Sequence, residues 1–307
     1  MAAPAIARRD LAALTLAAAA WGFGTVVSKR AVEEFAPVTL LSLQLAASLA
    51  TLVVLARVTG TSLRGSPPLL SRLGLLNPGL AYALSLVGLV TVSASLSVML
   101  WALEPLLILA LAGVFLGERI TPGFVALSLV AVAGMVLVLY EPAAGGQVVG
   151  IALTIAGVAC CAAYTVITRR FLPGTTDSTA PVVFGQQAYA LAFGLVVAVA
   201  LAITSGQILP ASVTPIGLAS ALGSGVLYYA AAYWFYLSAL RSVPASFAAV
   251  SFYLIPIFGI AAAYLLLGER LDIRQWIGAV IVLVAVFAIV RPRRQADLAV
   301  VPSVVVR

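Results

Sequence analysis

Apolar residues in this chain form long continuous runs separated by short polar segments, and they do not alternate with polar residues. A helix needs about 20 apolar residues to cross the hydrocarbon core of a bilayer, and these runs reach that length. Ten runs are predicted to be spans: 11–31, 37–57, 69–90, 93–116, 121–140, 147–168, 181–204, 215–240, 244–267 and 272–290. The pattern therefore predicts an all-α, polytopic membrane protein with ten transmembrane helices.

Proline and glycine mark the ends of the predicted spans. Proline is tolerated in the first helical turn, where its missing N–H has no helical acceptor. It occurs at the start of five predicted spans: Pro37, Pro122, Pro181, Pro215 and Pro244. Gly117 and Gly268 are predicted to close the fourth and ninth helices, and Thr121 and Asp272 are predicted to cap the helices that follow.

A segment of 26 residues occurs twice, at 94–119 and 245–270, so that the two copies lie 151 residues apart. Ten of the 26 paired positions are identical, among them an Ala-Ser pair, a mid-helix proline and a terminal Gly-Glu-Arg. Each copy lies in a half of five predicted spans, which divides the chain into two halves and a tail: 1–145, 146–291 and 292–307. An odd number of spans per half places the second half in the opposite orientation. Inverted halves are typical of alternating-access carriers, so transport is the leading hypothesis.

Composition restricts the class of protein. The chain is 63% hydrophobic and 9% charged, with a mean hydropathy of +1.17, which excludes a water-soluble protein of this length. The net charge of +7 is explained by topology and does not indicate nucleic acid. If both termini are cytoplasmic, 13 of the 17 Lys and Arg lie on the cytoplasmic side, as the positive-inside rule requires. The alanine-rich N-terminal run is long enough to span, and it is interpreted as a retained first helix.

Few residues could carry catalytic chemistry. Histidine is absent, and the adjacent Cys160 and Cys161 are interpreted as small buried residues, so no metal or other cofactor is expected. The sequence has no phosphate-binding G-x-x-x-x-G-K-[S/T] loop, and a Ser–His hydrolase is excluded without histidine. The four aspartates lie outside the predicted spans, which disfavours an intramembrane aspartyl protease. The chain is therefore not expected to be an enzyme, and the lack of a continuous polar helix face disfavours a channel.

Ten predicted spans in two halves, a proline in the middle of the fourth and ninth spans, and a Gly-Glu-Arg element after each of them resemble the drug/metabolite transporter superfamily, specifically its EamA-type members. The resemblance covers nearly the whole chain, and its motif is specific because it occurs twice in register. It implies export of amino acids, other metabolites or toxic compounds through a central cavity between the halves. Within the superfamily the chain is most similar to bacterial aromatic amino-acid exporters of the YddG type, which implies a multi-pass protein of the bacterial inner membrane.

Glu104 is the one acidic residue predicted near the middle of a span. A carboxylate at that depth is costly unless it is paired, hydrated or neutral, so it is a candidate solute or proton site. Ser97, Trp101 and Glu104 share one face of an ideal helix, which Pro105 is predicted to kink. The alternative is a protonated Glu104 that is bonded to a neighbouring helix.

Aromatic residues at mid-depth, away from the interfaces where Trp and Tyr are usually found, are further candidates for solute contact. Together with a nearby amide and Glu104, the predicted solute-binding residues are Trp21, Asn77, Tyr82, Trp101, Glu104, Tyr164, Tyr228, Tyr233, Phe252 and Tyr253. The predicted hinge prolines are Pro78, Pro105 and Pro256. Packing against other helices or against lipid is the alternative for each aromatic residue.

Several other side chains are given structural roles. On the eighth helix Tyr229, Tyr233 and Tyr236 are predicted to share a stripe, with Tyr228 pointing elsewhere. Tyr236 is also expected at the membrane interface, and Lys29 is expected to extend towards the lipid headgroups. The amides Gln44 and Gln187 are expected to tie helices together.

The residue types suit a moderately apolar or zwitterionic solute, since aromatic faces stack on a flat ring or attract an ammonium group. The chain is therefore predicted to be an alternating-access exporter of small amphipathic metabolites, most of all aromatic amino acids, with the lipid bilayer as its solvent. The alternative is an exporter of lipophilic cationic drugs with Glu104 as the proton or solute site. The fifth and tenth helices lack polar residues and are expected to face lipid or a second copy of the chain.

Overall fold

All regular structure in the described part of the chain is helical. The computed structural model describes residues 8–116, 122–139, 145–171, 180–205, 212–240 and 251–290. The α-helices are α1 Arg8–Ala31, α2 Pro37–Thr59, α3 Pro68–Arg72, α4 Ala81–Thr91, α5 Ala94–Trp101, α6 Glu104–Leu116, α7 Pro122–Leu139, α8 Gly145–Phe171, α9 Ala180–Ser205, α10 Pro215–Ser224, α11 Ala232–Leu240, α12 Leu254–Leu267 and α13 Ile273–Val290. Two 3₁₀ turns cover Leu73–Leu75 and Ser251–Tyr253, and two π-helical segments cover Leu76–Leu80 and Gly225–Ala231.

Six helical segments within the described ranges are long and apolar enough to cross a membrane. They are Arg8–Ala31, Pro37–Thr59, Pro68–Thr91, Gln147–Thr168, Ala180–Leu201 and Pro215–Tyr236. Shorter apolar helices cover Ala94–Ile108, Leu254–Leu267 and Ile273–Ala285. The chain is thus a multi-pass membrane protein, while the number of ten spans and the inverted arrangement stay predictions.

The third and fourth predicted spans are both broken near their middle. In the third, Asn77 has extended backbone angles (φ −144°, ψ 120°) because the ring of Pro78 disfavours a helical conformation at the residue before it. In the fourth predicted span, where Pro105 is predicted to kink the helix, α5 ends at Trp101 and α6 begins at Glu104. Pro105 has no N–H to donate to the Trp101 carbonyl, so the helix cannot continue its hydrogen-bond pattern through this point.

Helix ends follow the expected capping chemistry where the structure describes them. Gly268 has φ 68° directly after α12, as predicted for the residue that closes the ninth helix. Asp272 accepts the N–H of Gln275 (2.7 Å), and the Gln275 side chain accepts the N–H of Asp272 (2.9 Å). This reciprocal cap confirms Asp272 as the residue that caps the start of α13. The hydrogen bond from the Gln275 backbone lowers the pKa of the Asp272 carboxyl. The matching predictions for Gly117 and Thr121 lie outside the described residues.

The helices pack in pairs that join the first part of the sequence to the second. α1 lies against α10, α11 and α12, while α8 lies against α4 and α6. α2 packs on α9, and α7 packs on α13. In the last pair a Cβ at Gly134 would lie 2.9 Å from the Gly278 carbonyl oxygen, so the two backbones are close. The predicted fifth and tenth helices therefore pack against each other within one chain.

Buried glutamines connect these helices, as expected for two of them. The Gln44 amide on α2 donates to the hydroxyls of Ser28 and Ser224 (2.8 Å each). The Gln187 side chain on α9 accepts the Ser48 hydroxyl (2.5 Å) and donates to the Tyr229 carbonyl (3.2 Å). Gln44 therefore joins α2 to α1 and α10, and Gln187 joins α9 to α2 and to the π-helical segment. In an interior without water, such bonds are specific for one packing arrangement.

A second glutamine of α9, Gln186, has a set of partners that matches that of Gln44. It accepts the Tyr164 hydroxyl (2.8 Å) from α8 and donates to the Leu70 carbonyl (3.1 Å) of α3. Each glutamine also packs against a glycine. A Cβ at Gly225 would lie 2.7 Å from the Gln44 Cα, and a Cβ at Gly74 would lie 2.6 Å from the Gln186 Cα. The two glycines are 151 residues apart, which is the spacing of the repeated segment.

Glu34, in the turn after α1, attaches that turn to the start of α10. One carboxylate oxygen accepts the backbone N–H of Thr214 (2.9 Å), and the other accepts its hydroxyl (2.6 Å). These bonds from the side chain and backbone of Thr214 hold the pKa of the Glu34 carboxyl below its usual range. The charged form of Glu34 is therefore the one that the folded state favours.

Acidification should weaken the attachment that Glu34 makes. A carboxyl whose pKa is depressed by folding stabilises the protein above its unfolded-state pKa, and this contribution is lost as pH falls through the lower folded-state pKa. We expect Glu34→Gln to lower the thermal midpoint at neutral pH and the difference from wild type to shrink below about pH 4. Thermal unfolding in detergent at a series of pH values measures this. Glu33→Gln is the control, since Glu33 pairs only with exposed Arg30 among the described contacts, and a Glu34 difference that persists in acid would contradict the assignment.

Candidate functional site

The broken helices meet around a narrow cavity of about 20 Å³, which has room for about one water molecule. α1, α4, α5 and the π-helical segment of the eighth predicted span contribute its walls. The lining residues are Thr25, Ser28, Tyr82, Ser85, Leu86, Leu89, Ser97, Trp101, Tyr228 and Tyr229. The walls are therefore aromatic and hydroxyl-bearing, and none of the lining side chains is charged at neutral pH.

Tyr82 lies at the centre of the aromatic lining. Its ring contacts Trp101 in a tilted arrangement with centroids 5.4 Å apart. It makes T-shaped contacts with the rings of Tyr228 and Tyr229, at centroid distances of 5.1 and 5.3 Å. Its hydroxyl is 3.4 Å from the hydroxyl of Tyr233. Perpendicular and offset ring pairs are the favoured geometries, so these contacts hold Tyr82 in one position.

The expectation that Tyr228 points away from Tyr229 is wrong. Both residues lie in the π-helical segment Gly225–Ala231 and both contact Tyr82. A π-helical turn inserts an extra residue into the helical repeat, so that two successive side chains turn towards the same cavity. Such segments occur frequently at functional sites, and this one supplies two of the three tyrosines of the lining.

Trp21 forms a second aromatic cluster beside the cavity. Its ring makes edge contacts with Tyr233, Tyr236 and Phe252 at centroid distances of 5.6, 5.5 and 5.4 Å. Tyr236 also stacks on Phe252, with ring centroids 5.1 Å apart. The prediction that Tyr236 lies at the membrane interface is therefore wrong. The indole N–H of Trp21 is buried and has no hydrogen-bond partner in the described part of the protein, which leaves it as a free donor beside these rings.

Glu104 is not among the residues that line the cavity, although it lies near Tyr228 of that lining. Its side chain is only 7% exposed, and its carboxylate accepts the thiol of Cys161 on α8 at 3.1 Å. The turn at Ala102 and Leu103 lies between Glu104 and Trp101. Of the three residues predicted to share a face, Ser97 and Trp101 line the cavity and Glu104 does not. Because α6 begins at Glu104, the carboxylate also sits at a helix N-terminus, where the helix dipole favours negative charge. This geometry matches the alternative of a bond to a neighbouring helix.

The remaining predicted residues have different surroundings. Tyr164 bonds to Gln186 and lies near Glu104. Asn77 is buried at the break in the third span, and its side-chain oxygen has no partner among the described residues. Pro256 is buried in α12, just after the 3₁₀ turn, while the side chain of Tyr253 in that turn lies outside the described part of the protein. A role for any of these residues in solute binding stays a prediction.

The predicted solute-binding residues left out several hydroxyl groups of the cavity, and the sequence did not indicate two roles outside it. Thr25, Ser28 and Ser85 line the cavity, and the signal for them was a hydroxyl at mid-span in an otherwise apolar helix. Cys161 is a hydrogen-bond donor to Glu104, beyond filling space. Lys29 does not extend to the headgroups, because its ammonium donates to backbone carbonyls at the end of α4. Within the described ranges, no cluster of three or more His, Cys, Asp and Glu suits a metal ion.

Comparison with known proteins identifies the family to which the chain is similar. Residues 10–140 and 148–291 each match the EamA-like transporter family. A relative from Archaeoglobus fulgidus described as "Uncharacterized transporter" is 27% identical over 281 residues, covering 91% of this chain and 98% of its own length. A solved structure titled "Crystal structure of protein" is similar in fold, with a TM-score of 0.62 and 17% identity, over 90% of this chain and 96% of that one.

Proposed function

The chain belongs to the EamA-like transporter family of the drug/metabolite transporter superfamily and is a membrane transporter of small molecules; from this premise we propose that it exports small amphipathic metabolites, most of all aromatic amino acids. Transport proceeds by alternating access, with the two halves of the chain moving around a solute held between them. The narrower relationship to aromatic amino-acid exporters of the YddG type is part of this proposal. So are residence in the bacterial inner membrane and a cytoplasmic location of both termini.

The lining of the cavity is the observation that carries the proposal. Three tyrosines and one tryptophan offer aromatic faces, and Thr25, Ser28, Ser85 and Ser97 add four hydroxyl groups. The hydroxyls of Thr25 and Ser85 donate to the carbonyls of Trp21 and Ala81, so they offer acceptor oxygens to a solute. An aromatic side chain stacks on such faces, while the hydroxyls can hydrogen-bond the ammonium and carboxylate of a zwitterion. A strongly anionic solute would require a cationic partner, and no Lys or Arg lies among the lining residues.

The packing of the helices supports two related halves. The partners of Gln44 lie on α1 and α10, and those of Gln186 lie on α8 and the third predicted span, which are the corresponding helices of the two halves. Gly225 and Gly74 pack on these glutamines in the same way. Matching contacts of this kind are expected for repeated halves that meet around a shared pathway.

Broken helices around the cavity also support solute transport. Breaks occur at Asn77 and after Trp101, and the π-helical segment starts at Gly225. Irregular backbone inside a membrane protein is tolerated where it is buried or lines a cavity. Transporters use such discontinuous helices to expose backbone groups and to bend when the pathway changes its accessibility.

The competing function is export of lipophilic cationic drugs. It is favoured by one observation, the burial of Glu104, since a buried carboxylate among aromatic rings suits an organic cation. Tyr236 and Tyr164 lie near that carboxylate. In this arrangement Glu104 would have to exchange the thiol of Cys161 for the cation or for a proton.

Uptake into proteoliposomes separates the two functions. We expect saturable uptake of radiolabelled phenylalanine and tryptophan, competed by each other and by neither threonine nor a quaternary amine. Because Glu104 lies outside the lining and bonds to Cys161, Glu104→Gln should retain this uptake, with kcat/KM falling by less than about tenfold. Uptake of the quaternary amine alone, lost in Glu104→Gln, would replace the amino-acid proposal with drug export.

A further inference from the structure

The charged group of Lys29 holds the end of α4. Its ammonium donates to the carbonyls of Leu89 and Val92 at 2.8 Å each and lies 3.3 Å from the Val90 carbonyl. The last carbonyls of a helix have no helical N–H partner, and the negative end of the helix dipole favours a cation there. Lys29 on α1 therefore supplies the cap that α4 lacks.

Glu269 holds the beginning of α5 from the other side of the same turn. Its two carboxylate oxygens accept the backbone N–H groups of Ala94 and Ser95 at 2.9 Å each. The hydroxyl of Ser93 accepts the next N–H, from Leu96, at 3.1 Å. The first three donors of α5 thus have acceptors, and two of these acceptors belong to the residue two positions beyond α12.

The repeated segment explains the pairing of Glu269 with Ala94 and Ser95. Ala-Ser is the beginning of the first copy, and Gly-Glu-Arg is the end of the second copy. The end of one copy therefore binds the beginning of the other. The motif that relates the two halves in sequence is also a contact between them.

These contacts lie at one end of the cavity. Ser28 precedes Lys29 and lines the cavity, and so do Leu89 and Ser97, on either side of the turn that both charges hold. Beneath the charges, α1, α5 and α12 are packed tightly. A Cβ at Gly22 would lie 2.7 Å from the Gly259 nitrogen, and a Cβ at Gly259 would lie 2.6 Å from the Val98 side chain.

We propose that Lys29 and Glu269 are gating residues that close this end of the cavity. Lys29 ties α1 to the end of α4, and Glu269 ties α12 to the beginning of α5. The α4–α5 turn cannot separate from α1 and α12 until both side chains exchange their backbone partners for water. The gate rests on the proposed role of the cavity as the solute pathway, but it makes a statement about water access that needs no solute.

Thiol accessibility tests the gate. Ser97→Cys places a single thiol in the cavity wall after Cys160→Ser and Cys161→Ser have removed both native cysteines. A membrane-impermeant maleimide is added to right-side-out and, separately, to inside-out vesicles, without solute. We expect Glu269→Gln, which keeps the shape of the side chain, and Lys29→Met each to raise the labelling rate about tenfold in one vesicle orientation, because each removes a charge-assisted attachment.

Control variants distinguish opening of the gate from misfolding of the protein. Glu33→Gln removes a surface carboxylate that is not among the residues of the cavity lining. This substitution should leave labelling unchanged in both orientations. Each variant must elute as a single species with a defined thermal midpoint. Unchanged labelling in folded Glu269→Gln, or an equal rise in both orientations, would overturn the gate. Since no solute is present, failure here is distinct from failure of amino-acid uptake.

Discussion

Gly74→Ala and Gly225→Ala should each prevent most of the protein from folding, whereas Gly223→Ala should fold normally. The added methyl group at Gly74 or Gly225 would lie 2.6 or 2.7 Å from the Cα of Gln186 or Gln44. The obstructing atoms belong to the backbone of another helix, so no side-chain rotation can make room. Overpacking of an interior costs about 1–3 kcal/mol, and sites that cannot relax lie at or above the upper end.

Gly223 is a matched control because it lies two residues before Gly225 and has no atom within 4 Å of an added Cβ. Alanine there should stabilise the helix by about 0.5–1 kcal/mol through its better helix propensity. Fluorescence-detected gel filtration of membrane extracts gives the yield of folded protein, and thermal unfolding ranks the survivors. Normal yield and an unchanged thermal midpoint for Gly225→Ala would show that α2 and the π-helical segment are farther apart than described.

Tyr82→Ala should reduce solute uptake by more than about tenfold, while Tyr82→Phe should retain most of it. Tyr82 contacts Trp101, Tyr228 and Tyr229, so its ring positions the other aromatic faces of the cavity. Phenylalanine keeps these ring contacts and removes only the hydroxyl, whose 3.4 Å separation from Tyr233 is long for an O–H···O bond. Alanine removes the ring and leaves a void that the neighbouring rings cannot fill.

The loss in Tyr82→Ala must be separated from general destabilisation, since truncation of a buried aromatic residue costs about 3–5 kcal/mol. Initial rates of phenylalanine uptake are therefore normalised to the amount of folded protein in the proteoliposomes. Tyr189→Ala is the control, because Tyr189 is an exposed tyrosine of α9 outside the cavity lining. Equal normalised rates for Tyr82→Ala and wild type would exclude this cavity as the place where the solute binds.

The helical class and the helix ends were predictable because they depend on local chemistry. Long apolar runs require a bilayer, and Gly268 and Asp272 mark the end of α12 and the start of α13 through backbone conformation and capping. The EamA-like family was also predictable, because the Gly-Glu-Arg element occurs twice at one spacing. These signals need no knowledge of which helices meet.

The site could be predicted only in part because breaks in the helices change which residues share a face. An ideal helix places Trp101 and Glu104 together, but the turn at Ala102 and Leu103 sends them to different neighbours. An ideal helix also separates Tyr228 from Tyr229, which the π-helical segment brings to one cavity. The partners of Lys29 and Glu269 lie on helices distant in sequence, and no periodicity within one helix indicates such contacts.

The position of Trp101 places a fluorescent group in the cavity wall. Its indole lies in the wall, 5.4 Å from the ring of Tyr82, and light absorbed by the surrounding tyrosines is transferred to it at such distances. Trp276 on α13 is 49% exposed and faces away from the interior, so it emits from a different environment. An aromatic solute that enters the cavity must stand against Trp101 and alter its emission. If the cavity binds the solute as proposed, the emission of Trp101 reports its occupancy without an added label.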